Sequence, residues 1–256
     1  MADHAKSALI RFDVAGGVAT ITLDSPANRN ALSSALRSEL IAALGAAAAD
    51  DDVRVLLLSH TGPVFCSGMD LKEEAAAETG RQGVRELPEI LRRIARCPKP
   101  VVARVGGPAR AGGIGILAAA DIVVAAPSAT FAFTEVRIGL VPAVISIPVL
   151  HRVTHAAARE LLLTGAVFDA ARALEIGLVN AVADDLDGAV AGYLRDLLAG
   201  GPSALAGTKA MLQDELNDSA ERYGRLLDIS AAQFATAEAR EGALSFREKR
   251  APNWSR

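Results

Sequence analysis

Val101–Glu135, VVARVGGPARAGGIGILAAADIVVAAPSATFAFTE, is the stretch that decides the fold. It opens on Val101-Val102-Ala103-Arg104-Val105, a β-branched run that predicts a buried strand. Gly106-Gly107-Pro108 turns the chain. Ala111–Ala120 then reads as a helix whose first turn, Ala111-Gly112-Gly113, is almost bare of side chains. Asp121–Ala125 is a second strand, and Phe131–Val136 sets one carboxylate, Glu135, among apolar neighbours. Glycines at a helix start open its N–H groups to close approach, and those groups carry partial positive charge. Such a place suits an anion, or an oxygen that becomes one during a reaction.

Upstream, Leu9–Asp13 and Val18–Leu23 flank Gly16-Gly17 as a predicted hairpin. Leu32, Leu36, Leu40, Ile41 and Leu44 recur at a helical period over Leu32–Ala49, with Asn30 or Ser33 to cap the start. Val53–Ser59 is the next strand, and it runs into the small-residue loop His60–Lys72. Loops at strand carboxyl ends are where open α/β folds bind ligands. Ala75–Arg96 is helical in pattern but interrupted by Gly80, Gly83 and Pro88, and Pro98 and Pro100 end it. Downstream, helices are expected over Ala156–Leu163, Asp169–Glu175, Leu186–Leu198, Ser203–Leu216 and Ala220–Glu241, with a strand at Leu178–Val182. This alternation predicts an α/β fold with largely parallel pairing. The expected division is a core domain over 1–200 and a C-terminal helical part over 201–256.

Composition narrows the function classes. The 256 residues are 51% hydrophobic but only 4% aromatic, so alanine-rich packing and buried subunit surfaces are expected. A net charge of −3 argues against nucleic acid as a partner. Cys66 and Cys97 have neither metal-ligand spacing nor a disulfide framework, which points to a reduced, cytoplasmic protein without a metal. The opening residues lack the apolar run of a signal peptide, and Asp121, Pro142 and Pro148 break the longest apolar stretches. A soluble protein is the expectation.

The chain resembles the enoyl-CoA hydratase/isomerase (crotonase) superfamily. Pro26–Leu32 is similar to the family's N-terminal turn, Phe65–Lys72 to its first oxyanion loop, and Gly106–Asp121 to its second. Phe133–Pro142 looks like the catalytic-glutamate segment; Leu163-Thr164-Gly165, Ala170–Val179 and Phe246–Pro252 match later landmarks. The resemblance implies a crotonase-like spiral of ββα units with a C-terminal helical part that packs across subunits, in a homotrimer or homohexamer. It also implies an acyl-CoA thioester substrate and no separate cofactor, coenzyme A entering with the substrate. Under it the backbone N–H groups of Ser67 and Gly112 hold the thioester oxygen and Glu135 moves the proton. Arg29, Cys66, Asp70, Leu71, Lys72 and Lys249 are the implied coenzyme A contacts.

One departure bears on the reaction. Typical hydratases of the family carry two glutamates, and the first falls where this chain has Gly115. Hydration needs a base for water and an acid for the α-carbon, so here either Glu135 serves both in turn, or another group or an ordered water helps. The expected activity is enoyl-CoA hydratase, with Δ3,Δ2-enoyl-CoA isomerase or a non-catalytic acyl-CoA binder as alternatives. Gly115→Glu is expected to supply the missing acid. Read alone, Glu135 is also open to a structural role, paired with Arg137 or Arg110. Gly113–Ala118 fits G-x-G-x-x-A with Glu135 downstream, but the first glycine lies too far from Val105 for a dinucleotide fingerprint.

Overall fold

The computed structural model describes residues 8–76, 82–214 and 220–250. Its strands in chain order are β1 (Ile10–Ala15), β2 (Val18–Leu23), β3 (Val55–His60), β4 (Val101–Val105), β5 (Ala109–Arg110), β6 (Ile122–Ala125), β7 (Thr130–Ala132), β8 (Phe168–Asp169) and β9 (Ala181–Val182). Six of them form one sheet in the order β1-β2-β3-β4-β6-β9. The β1–β2 hairpin is antiparallel, and every other pairing in this sheet is parallel. This is the expected α/β architecture with a parallel sheet.

Helices cover both faces, which is why β4 is apolar on both sides. Val101, Ala103 and Val105 enter the main core, while Val102 joins Val55, Val124, Leu186 and Val190 in a smaller one. The first face carries helices Ser34–Ala49, Gln82–Ala95 and Gly112–Ala119; Leu186–Ala199 covers the second. The Ser33 side chain caps the first of these by accepting from Leu36 N–H at 3.3 Å.

The polar turn before that helix is held by Asn30, fully buried and in the left-handed region at φ 52°. Its Oδ1 accepts from Ser25 N–H at 2.8 Å, and its Nδ2 donates to the carbonyls of Thr61 at 3.0 Å and Val64 at 2.8 Å. The side chain thus bolts the N-terminal turn to the loop after β3. Asn30→Ala removes all three bonds and strands buried carbonyls, and it places alanine where asparagine is better tolerated. The expected loss is about 2–4 kcal/mol, read as a fall in denaturant midpoint with an unchanged slope.

Strands β5, β7 and β8 make a second, small sheet. Because β5 lies beside β7, the start of helix Gly112–Ala119 is brought next to the segment that carries Glu135. The seven-residue loop expected between Val105 and Gly113 therefore contains a strand, too short to leave a periodic signature.

Other boundaries differ for identifiable reasons. Leu178–Val182 pairs only over Ala181–Val182. Ser146–Arg152 is a helix despite Pro148, because proline is tolerated in a first turn. The tail expected as one helix to Glu241 breaks into Ala220–Phe234 and Ala237–Glu248, since the Thr236 side chain caps a new start by accepting from Ala239 N–H. Helix Pro202–Asp214 is tied to the sheet by Lys209, whose Nζ meets Asp121 Oδ2 at 2.6 Å and the carbonyls of Ile94 and Lys99 at 3.2 Å.

Candidate active site

Glu135 opens a 3-10 turn, Glu135–Ile138, that follows β7 and ends at Gly139 in the left-handed region at φ 72°. The residue as a whole keeps some exposed surface, but its Oε2 has essentially none and no hydrogen-bond partner among the described residues. Burial pushes its pKa up to about 7. The structural-ion-pair reading does not hold for Arg110, whose guanidinium donates to Ala109 O, Thr130 O and Thr130 Oγ1 instead. Among the described residues Arg137 makes no ion pair with Glu135 either.

The glycine-rich helix start lies across the same cavity. Ala111, its N-cap, sits at φ 47°, ψ −119°, a conformation that side chains rarely adopt. Its N–H donates to Ala132 O at 3.2 Å, while its carbonyl accepts from Ile114 N–H at 2.9 Å and Gly115 N–H at 3.2 Å. Those bonds hold a backbone strain of about 1–3 kcal/mol in place. They also leave Gly112 N–H without an acceptor among the described residues, at the positive end of a buried helix. Gly113 has a packing role: a Cβ there would lie 2.8 Å from Cys66 Cβ and 2.9 Å from its carbonyl oxygen.

Two residues of the first loop, Ser67 and Met69, line the cavity. The Ser67 N–H donates to the Arg29 carbonyl at 3.1 Å. Two residues on, Met69 forms an isolated parallel bridge with Leu32, in which Leu32 N–H bonds Gly68 O at 2.8 Å. The bridge leaves Met69 N–H with no acceptor among the described residues, and Met69 also lines the cavity. Nothing in the local sequence separates Ser67 from Met69. The Arg29 carbonyl that distinguishes them arrives from a distant turn.

The cavity these groups share is continuous with solvent. Ser67, Met69, Gly112 and Glu135 stand on its wall, and Leu71 joins them. Leu87, Leu140, Val144, Ile145 and Phe234 make much of the rest apolar. Glu135 is the one carboxylate on that wall among the described residues.

The other expected contacts are placed less uniformly. Cys66 is wholly buried, its N–H and carbonyl bonded to Pro108 O and Arg110 N–H, and burial drives its thiol up to about 12. It has no exposed surface and does not line the cavity. Asp70 is partly buried and its Oδ1 accepts from Lys72 N–H at 3.1 Å and Glu73 N–H at 3.4 Å, capping helix Leu71–Ala76. Arg29, Lys72 and Lys249 are exposed and do not line the cavity. His60 is a brace between the two loops: its Nε2 accepts from Gly106 N–H at 3.0 Å, and burial lowers its pKa, favouring the neutral ring that can accept.

Gly115 is not an empty place awaiting a carboxylate. A Cβ there would lie 2.6 Å from Ile145 Cγ2, 3.1 Å from Ile145 Cβ and 3.5 Å from Leu91 Cδ2. The branched Ile145 side chain fills the space and forms part of the cavity wall.

Glu135, whose Oε2 is buried without a hydrogen-bond partner among the described residues, thus shares one largely apolar cavity wall with Met69 and Gly112. The sequence profile of the enoyl-CoA hydratase/isomerase family matches residues 13–256. The chain is 34% identical to enoyl-CoA hydratase EchA19 of Mycobacterium tuberculosis over 249 residues, covering 93% of each protein. It superposes on the crystal structure of an enoyl-CoA hydratase from Mycobacterium avium with a TM-score of 0.88 at 43% identity, over 97% of this chain and all of that one. The chain belongs to the enoyl-CoA hydratase/isomerase family and has the crotonase fold. Among the described residues no helix is long and apolar enough to cross a membrane.

Proposed function

We propose that this protein is an enoyl-CoA hydratase that adds water across the 2,3 double bond of a 2-enoyl-CoA with one carboxylate. The observation that carries the reading is Glu135, whose Oε2 is buried and unpartnered among the described residues, on the cavity wall that Gly112, with its free N–H, also lines. In the ionised form Glu135 takes a proton from water as the water oxygen bonds to C3. The C2–C3 π electrons move toward the thioester, whose oxygen gains negative charge between the N–H groups of Met69 and Gly112. Glu135, now protonated, returns that proton to C2 as the enolate collapses to the saturated 3-hydroxyacyl thioester. Atoms balance: one water is consumed and the carboxylate is regenerated.

The two N–H donors cost no reorganisation at the moment of reaction, and one such donor is worth roughly 10²–10³ in rate. Exposed Arg29, Lys72 and Lys249 are proposed to meet the coenzyme A phosphates outside the cavity. Exposed Leu163 and Val167, at 76% and 64%, support burial of that face in a trimer or hexamer of this chain. A cytoplasmic setting, with no metal or separate cofactor, completes the proposal.

The pKa of Glu135 makes a direct test. Because the base form starts the reaction, kcat/KM is expected to rise about tenfold per pH unit below about 7 and to level above it. Loss of the conjugated thioester absorbance measures this, and a rate that falls as pH rises through 7 contradicts the assignment. Isomerisation is the second reading, favoured by the closure of the Gly115 side by Ile145. A single carboxylate suffices to carry a proton between the α- and γ-carbons, and a 3-enoyl-CoA consumed in preference to its 2-enoyl isomer would select it.

A further inference from the structure

Helix Ala220–Phe234 packs on helix Gln82–Ala95 and contributes two side chains, Ser230 and Phe234, to the cavity wall one helical turn apart. Ser230 is 6% exposed, yet its hydroxyl makes no hydrogen bond with any described residue. Two other helical serines that are not exposed, Ser245 and Ser146, behave differently. Ser245 spends its hydroxyl on Gly242 O at 2.9 Å, and Ser146 spends its own on Ala143 O at 2.7 Å. Alanine is the better helix former, and this hydroxyl, which lines the cavity, forms no bond within the chain that would favour serine here. Ser67, Thr134 and Glu135 are the remaining polar side chains on this wall, and they come from the loop and segment that handle the thioester. Ser230 is thus a polar group brought in by a separate element, among apolar residues such as Leu87, Ile145 and Phe234. A small number of placed polar groups on an apolar wall is how pockets set ligand orientation and selectivity.

We infer that Ser230 is a specificity residue that hydrogen-bonds an oxygen substituent on the acyl chain, beyond the carbons that react. A purely hydrocarbon chain leaves this hydroxyl buried and unpaired, whereas a chain hydroxyl satisfies it. The inference rests on the acyl-CoA reading of the cavity but not on which reaction follows.

The test measures dissociation constants, by calorimetry, for hexanoyl-CoA and its 4-, 5- and 6-hydroxy derivatives, none of which turns over by hydration. Wild-type protein is expected to bind one hydroxy derivative about tenfold more tightly than hexanoyl-CoA. Ser230→Ala should erase that preference and leave hexanoyl-CoA within about twofold, while Ser230→Thr, which keeps a hydroxyl, should preserve part of it. No preference in the wild type, or a preference that survives in Ser230→Ala, overturns the inference. A preference lost in Ser230→Ala, in a protein that hydrates no enoyl-CoA, would leave Ser230 standing and remove the hydratase reading instead.

Discussion

Glu135→Gln is expected to lower kcat for hydration by about 10²- to 10⁴-fold while leaving the Kd for a saturated acyl-CoA within about twofold. The amide keeps the shape of the carboxyl and cannot take up or return the proton. The same change should stabilise the protein above neutrality. Glu135 ionises near 7 when folded, against an ordinary value of 4.5, so between these values the unfolded chain holds fewer protons than the folded one. Folding stability therefore falls as pH rises from about 4.5 to about 7, by roughly 3 kcal/mol in all. The neutral amide does not incur that cost. Denaturant unfolding at pH 5 and pH 8 should show the wild type losing stability between them and Glu135→Gln losing less. A mutant with near wild-type turnover would remove Glu135 from the chemistry. A mutant inactive but no more stable at pH 8 would remove burial as the source of its raised pKa.

Gly115→Glu, which the family pattern suggests as a gain, is expected to be a loss. Its Cβ alone would come within 2.6 Å of Ile145 Cγ2, and the carboxylate beyond it would be buried without a partner. Overpacking of this kind typically costs about 1–3 kcal/mol, and an unpaired buried charge adds to it. For a chain of this size a fall in Tm of about 5–10 °C is expected, with hydration no faster than wild type. Gly115→Glu combined with Ile145→Ala should recover part of the stability, because the shortened side chain vacates the space the new Cβ needs. Differential scanning calorimetry of the single and double variants decides the matter. A single variant with unchanged Tm and faster hydration would contradict the packing account.

The two positions illustrate what a linear reading of this chain can and cannot reach. Glu135 was legible because its chemistry is local: one acidic residue inside an apolar run between a short strand and a glycine. The bare helix start at Gly112 was legible for the same reason. The parallel sheet followed from β-branched runs spaced by helical periods, and the hairpin from Gly16-Gly17. What stayed hidden depends on partners far away in the chain. The Ser67 N–H is engaged by the Arg29 carbonyl, which comes from a distant turn. Ile145 fills the Gly115 position from a helix whose proline masked its start. Ser230 enters the cavity from the C-terminal region, where helical periodicity says which residues share a face but not what that face meets. The small strand Ala109–Arg110 is too short to leave any alternation, yet it sets the helix start beside Glu135.

The most direct measurement is product analysis with matched 2-enoyl- and 3-enoyl-CoA thioesters, run on wild type and on Glu135→Gln. The account predicts that wild type converts the 2-enoyl thioester to the 3-hydroxyacyl-CoA and that Glu135→Gln does not. A 2-enoyl-CoA left unchanged by wild-type protein, or hydrated as quickly by the glutamine variant, would contradict it.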